Sequence, residues 1–352
     1  MKIVHVVYGM TMGGIETMVL NIVNEQTKYH KIFLVVINNL IEPSLIEKLD
    51  NKVELILIKR PVSDKNPFYL FKLNYSLLKI APDIIHCHCP SMVRFIFLSF
   101  FKEKICVTQH SLLDPRYIKY IDRFKYRFAI SDAVKENMKH LTGLDSDVVL
   151  NGVNLDLIKS KHTSNLSDKF KIVILSRLEH QIKGQHIAIE AFDILMKKGF
   201  DNIHLYLIGE GNSENYLKEM TKKMSLEKDV SFLGIKTQDY IFSHLYEYDL
   251  LIQPSIYEGF GLTVAEAMAA KVPVLVSEND GPLEIIDNGN YGYFFRKNDS
   301  VSCAEIIEKI LNDPNKYELA EKAYRRVKEK YDVKVTAHTY IKKYKEILSR
   351  KK

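Results

Sequence analysis

Short apolar runs alternate with amphipathic runs along nearly the whole chain, and the alternation is played out twice. The first series has strand-like runs at Ile3–Tyr8, Ile32–Ile37, Val53–Ile58, Ile84–His88, Ile105–Gln109, Arg127–Ile130 and Val148–Leu150. Helical stretches such as Gly14–Lys28, Phe68–Ile80 and Asp132–Leu141 lie between them. The second series has Phe170–Leu175, Ile203–Ile208, Val230–Phe232, Leu250–Gln253 and Val272–Val276, with helices at Gln185–Lys198, Asn212–Met224, Gln238–Tyr246 and Thr263–Ala270. Strands that are apolar throughout are covered on both faces, as in a parallel sheet flanked by helices. The polar stretch Asn154–Lys169 separates the two series and reads as a linker. At 352 residues the chain also exceeds what one hydrophobic core normally holds. The prediction is an α/β protein of two doubly wound, Rossmann-like domains, residues 1–165 and 166–332, facing each other across a cleft lined by strand carboxyl ends. A helical tail with a lysine-rich face, Val333–Arg350, is free to pack back on the first domain.

Composition narrows the function classes. Four cysteines, Cys87, Cys89, Cys106 and Cys303, form no CxxC pair, which fits reduced thiols in a cytoplasmic protein. The first residues run into Gly13-Gly14 too soon for a leader peptide and read as a first strand. The net charge of +6 is carried by residues 1–165, where 22 Lys+Arg face 16 Asp+Glu; the remainder is balanced. Such a half suits an anionic partner, a membrane surface or a phosphate-bearing substrate. Arg116–Phe128 interleaves cations with aromatics, and Arg94–Lys102 is an apolar run bracketed by charge. Both can lie at a membrane surface, as a peripheral contact, or pack inside the domain with their charges snorkelling. No nucleic-acid-binding module is visible, so a nucleic-acid partner is not expected.

The strongest motif is Glu258-Gly259-Phe260-Gly261-Leu262-Thr263-Val264-Ala265-Glu266-Ala267-Met268-Ala269. Its glycines let the backbone turn close beside a ligand. The helix beginning near Leu262 and Thr263 directs free N–H groups at whatever lies before it, which suits a phosphate. Glu266, one turn in, can accept from vicinal hydroxyls, and Glu258 precedes the helix on its loop. Around these residues the sequence resembles the retaining glycosyltransferases of family 4, whose two Rossmann-like domains form the GT-B arrangement. Further matches in order are Gly13-Gly14-Ile15-Glu16, Ser131-Asp132-Ala133-Val134, Asn151-Gly152-Val153, Ser176-Arg177-Leu178 with Lys183-Gly184, Gly209-Glu210-Gly211, and Gly281-Pro282 with Glu284.

The resemblance implies a metal-independent hexosyltransferase with no cofactor. It would move a sugar from a UDP-linked nucleotide sugar to a hydroxyl of a glycan or lipid-linked acceptor in surface polysaccharide assembly such as O-antigen or capsule. It implies Glu258, Arg177, Lys183 and His110 as catalytic residues, and Gly14, Glu266, Gly209, Gly261, Leu262 and Thr263 as donor-binding ones. Arg177 and Lys183 would neutralise the departing diphosphate. Gly14 would offer its N–H to the donor phosphate, and His110, at the end of Ile105–Gln109, would touch donor sugar or acceptor without acting as a base.

Two tempting metal motifs are set aside. In His86-Cys87-His88-Cys89 alternate residues point to opposite faces of a strand, so the four cannot converge. Asp145-Ser146-Asp147 precedes Val148–Leu150 at its amino end and reads as a solvated turn. The rival enzyme class is a nucleotide-sugar epimerase of the same architecture, which needs acid–base carboxylates. A non-catalytic glycan-binding relative should lack one of Glu258, Glu266, Arg177 or Lys183, and all four are present.

Overall fold

The computed structural model describes residues 1–11, 13–161 and 169–350. The chain divides into two compact units, Met1–Val153 with Asp332–Lys352, and Asn154–Tyr331. The predicted 165/166 boundary, and His162 to Asn165 within the predicted linker, lie outside the described residues.

The first unit holds seven parallel strands: β1 (Lys2–Val7), β2 (Lys31–Asn38), β3 (Glu54–Arg60), β4 (Ile84–Cys87), β5 (Ile105–Gln109), β6 (Tyr126–Ala129) and β7 (Asp147–Val148). Their order is β3-β2-β1-β4-β5-β6-β7. The order reverses direction between β1 and β4, so the crevice suited to a ligand opens at their carboxyl ends. β7 is shorter and earlier than the expected Val148–Leu150; Val149 is buried but pairs only through its N–H with the Ala129 carbonyl. The helix Gly14–Gln26 buries Met18, Val19, Ile22 and Val23 on the sheet. The helix Val333–Ser349 packs against it, adding Tyr340, Tyr344 and Ile347 to the same core. Thr336 secures it by donating to the Leu150 carbonyl at 2.9 Å.

The second unit holds six parallel strands: β8 (Phe170–Leu175), β9 (Ile203–Ile208), β10 (Val230–Phe232), β11 (Leu250–Gln253), β12 (Val274–Ser277) and β13 (Tyr293–Phe295), ordered β10-β9-β8-β11-β12-β13. Here the switch point falls between β8 and β11. The described part of the predicted linker packs on this unit. Lys161 is buried, bonded to Asp249 at 2.7 Å and to the Tyr248 carbonyl. Asp249 also accepts from the Lys171 N–H and the Tyr317 hydroxyl, so the buried pair leaves no charge unsatisfied.

Among the described residues no helix is long and apolar enough to cross a membrane. The run Arg116–Phe128 turns Ile121, Phe124, Tyr126 and Phe128 into the core, while Arg116, Lys119, Asp122, Arg123 and Lys125 are exposed. Phe100 of the run Arg94–Lys102 is 62% exposed, and a larger apolar stripe lies on the helix Pro67–Ile80. Leu73, Leu77 and Ile80 face the core while Phe68, Phe71, Tyr75 and Leu78 are 61%, 60%, 68% and 48% exposed. Their spacing of three and four residues makes one stripe.

Candidate active site

In the second unit every motif residue follows the carboxyl end of a strand near the switch point. Arg177 follows β8, Gly209 follows β9, Glu258 and Gly261 follow β11, and Gly281 with Glu284 follows β12. Gly209 adopts φ +140, a conformation that L side chains rarely take, with its missing side chain's place occupied by the Ser176 carbonyl. The Leu178 N–H donates to the Glu210 carbonyl at 2.9 Å, tying the loops after β8 and β9 together. The Gln185 amide donates to the Ser176 hydroxyl and the Arg177 carbonyl, holding the first loop in shape.

Lys183 ends the short helix His180–Lys183, and its ammonium reaches Glu258 at 2.7 Å. Gln253, the last residue of β11, donates to the same Glu258 oxygen at 3.0 Å. The Ile256 N–H donates to the Ile182 carbonyl, which locks the loop bearing Glu258 onto the loop bearing Lys183. Arg177 is mostly exposed and pairs with Glu179 at 3.1 Å. The structure thus brings Lys183 and Glu258 into direct contact and leaves Arg177 exposed, with the half-buried Glu179 as its partner among the described residues.

Gly261 starts the next helix, Leu262–Ala269, at φ +109 and offers no side-chain cap. A side chain there would strike the side-chain amide oxygen of Gln253. The N–H groups at this helix start, including those of Leu262 and Thr263, are therefore left for an external acceptor. Glu266 has no partner among the described residues, and burial pushes its carboxyl up to about 8. Gln253 Oε1 and Ser255 Oγ are buried nearby without a hydrogen bond. Unpaired buried polar atoms are uncommon in folded proteins, and these cluster beside the motif.

In the first unit the helix Gly14–Gln26 also begins without a side-chain cap, and Gly14 is exposed. Glu16 folds back over Gly13, and burial raises its carboxyl. His110 follows β5 as expected, but its Nδ1 is buried and unpartnered. Its Nε2 lies 3.0 Å from His88 Nδ1, His88 Nε2 lies 2.9 Å from His5 Nδ1, and His5 Nε2 lies 2.9 Å from Gln26 Oε1. His5 sits mid-strand in β1, paired in register with His86 of β4.

The cysteines of His86-Cys87-His88-Cys89 do point away, but His86 and His88 converge with His5. One ring nitrogen from each lies within 4.8 Å of the others, near enough for a metal. All six of their ring nitrogens are already hydrogen-bonded, those of His86 to Tyr344 and Thr108. Asp145 and Asp147 lie at the amino end of β7 and pair with Lys135 and Lys343, as a solvated turn does.

Two family models match this chain: glycosyltransferase family 4 over residues 12–157, and glycosyl transferases group 1 over residues 157–330. The chain belongs to the family 4 glycosyltransferases. It is 28% identical over 250 residues to the capsular polysaccharide biosynthesis glycosyltransferase CapM of Staphylococcus aureus, covering 68% of this chain and 62% of that protein. It is 32% identical over 201 residues to a probable sucrose-phosphate synthase of Thermosipho melanesiensis, covering 55% and 46%. The chain thus spans less than two thirds of the length of these relatives. Among solved structures, a glycosyltransferase from Rickettsia africae superposes with a TM-score of 0.82 at 22% identity, covering 99% of this chain and 98% of the other. Anabaena HepE in complex with UDP gives 0.82 at 21%, covering 98% and 100%. The fold is therefore GT-B, with its two Rossmann-like units.

Proposed function

We propose that the chain is a retaining glycosyltransferase that moves a sugar from a nucleoside diphosphate sugar to a hydroxyl of a glycan or lipid-linked acceptor. The observation that carries this reading is the assembly at the β8/β11 switch point. It combines a cation pair (Arg177, Lys183), an uncapped helix start at Gly261-Leu262-Thr263, and two carboxylates eight residues apart. The helix start and the cations suit a diphosphate. Glu266, unpaired and facing no protein donor, suits a pair of ribose hydroxyls. Glu258 sits beside the cation that would hold the leaving group, where the sugar would be joined to it. Gly209 is the second unit's further candidate for a donor phosphate; in the first unit the candidates are Gly14 for a phosphate and His110 for a sugar hydroxyl. The site offers charge neutralisation by protein groups, so the reaction is expected to need no metal.

A uridine base is favoured by the likeness to HepE, which was solved with UDP and with UDP-glucose. Capsule assembly is favoured by the likeness to CapM. The epimerase alternative is weaker because Glu258 is committed to Lys183 and Gln253 rather than free for proton transfer. The test is a thermal-shift panel of nucleoside diphosphates and nucleotide sugars in the presence of a chelator. A ligand of the folded state at about 100 times its Kd adds about 2.7 kcal/mol of stability, a clear rise in Tm. No rise with any member of the panel would contradict the reading.

A peripheral membrane contact belongs to the same proposal, for an acceptor on a lipid carrier. The surface that supports it is the stripe Phe68, Phe71, Tyr75 and Leu78, flanked by exposed Lys65 and Lys79. Apolar side chains beside cations suit an anionic lipid surface. Phe71→Ser with Tyr75→Ser should weaken binding to anionic vesicles more than tenfold, about 1.4 kcal/mol, since each ring buried is worth more than that. Equal binding of wild type and variant in a sedimentation assay at low salt would refute the assignment.

A further inference from the structure

The four-member chain Gln26–His5–His88–His110 has a direction, and the direction follows from one carbonyl. The Gln26 amide nitrogen donates to the Ala337 carbonyl at 3.4 Å. Turning the amide over would set two acceptors against each other, so Ala337 fixes the amide with Oε1 toward His5. Oε1 can only accept, so His5 Nε2 carries the proton. Burial holds His5, His88 and His110 neutral, their values lowered to about 4, well below the ordinary range, and about 3 respectively. A neutral imidazole has one N–H. His5 Nδ1 is therefore bare, and His88 Nε2 must donate to it. His88 Nδ1 is bare in turn, and His110 Nε2 donates to that. The chain ends on His110 Nδ1, a bare acceptor, buried and without a partner among the described residues.

We propose that Gln26, His5 and His88 are positioning residues that fix the tautomer of His110, so that the end of β5 accepts a hydroxyl of a neutral sugar and rejects a carboxylate or phosphate. A lone pair facing an O–H makes a hydrogen bond; the same lone pair facing an anionic oxygen meets repulsion. Leaving the acceptor unpaired is costly in the empty protein, and a substrate hydroxyl removes that cost. A protonated or reversed His110 would invert the preference. That the hydroxyl belongs to a sugar rests on the transferase reading; the tautomer chain does not.

Two measurements test it. In the ligand-free protein labelled with ¹⁵N-histidine, long-range ¹H–¹⁵N spectra report the tautomer of each ring. His5, His88 and His110 should all carry their proton on Nε2. Gln26→Leu removes the acceptor that sets the direction. His110 should then populate both tautomers, and kcat/KM for sugar transfer should fall by about tenfold, the loss of one hydrogen bond. A residue that merely fills space at position 26 would leave the His110 tautomer unchanged. An Nδ1–H or doubly protonated His110 in the wild type overturns the proposal, as does a Gln26→Leu protein whose His110 spectrum equals that of wild type. If wild type shows the expected tautomers but transfers no sugar, the transferase reading fails and the tautomer assignment stands.

Discussion

Lys183→Ala is expected to lower kcat/KM for sugar transfer by about 10²–10³-fold, the loss typical when one group aimed at developing charge is removed. As the diphosphate departs, negative charge builds on its oxygens, and Lys183 is held within reach of the site by Glu258 and by the Ile182–Ile256 backbone bond. The truncation also strips Glu258 of its ion pair and leaves it only the Gln253 amide. Arg177→Ala should cost a similar factor. Its one partner among the described residues, Glu179, lies two positions on, and the guanidinium itself is mostly exposed, so it can swing to a ligand at little cost. Steady-state kinetics with excess chelator check both: wild-type rates should persist without added metal. Near-wild-type turnover in both variants, or strict dependence on Mn²⁺ or Mg²⁺, would contradict the assignment and return Asp145 and Asp147 to consideration.

The two carboxylates should separate in kinetics. Glu258→Ala should mainly lower kcat, because it removes the group holding Lys183 next to the reacting sugar. Glu266→Ala should mainly raise the donor KM, by about ten- to a hundredfold, the worth of hydrogen bonds to a charged acceptor. Glu266 also predicts a pH dependence. Its carboxyl in the free protein is pushed up to about 8, so below that pH it is largely protonated and less able to accept from two hydroxyls. Donor binding must then expel the proton. KM for the donor should fall as pH rises toward about 8 and level off above it, and Glu266→Gln should flatten this slope. A flat profile in the wild type would show that Glu266 does not grip the donor in its ionised form.

What the sequence disclosed and what it hid follow from how far apart the interacting residues lie. The strand Val230–Phe232 and the helix at Leu262 were legible because their signals are local: an apolar run and a glycine pair before an amphipathic stretch. Glu258 and Glu266 were legible for the same reason. The Lys183–Glu258 contact spans 75 residues and could not be read from either neighbourhood. His5 is an unremarkable polar residue inside an apolar strand, and only the parallel register with β4 brings it to His86 and His88. The strand Tyr293–Phe295 and the helix Asp280–Ile285 went unforeseen, being too short for a periodic signal. Lys161 was taken for linker because its burial depends on Asp249, 88 residues on. The cation–aromatic run Arg116–Phe128 fitted both a membrane surface and internal packing, and its Phe124, Tyr126 and Phe128 rings enter the core while most of its charges stay outside.

In the proposed reaction the diphosphate leaves from a site that stabilises it with protein cations and a helix start, and the acceptor attacks the same face. The leaving group itself can then take the acceptor's proton, and no side chain is needed as an opposed general base. The most direct measurement is the anomeric configuration of the product, read from the anomeric proton coupling by NMR. The purified protein would be given an α-linked gluco- or galacto-configured nucleotide sugar, with chelator present. An α-linked product is expected. A β-linked product from the same donor would contradict the proposed reaction.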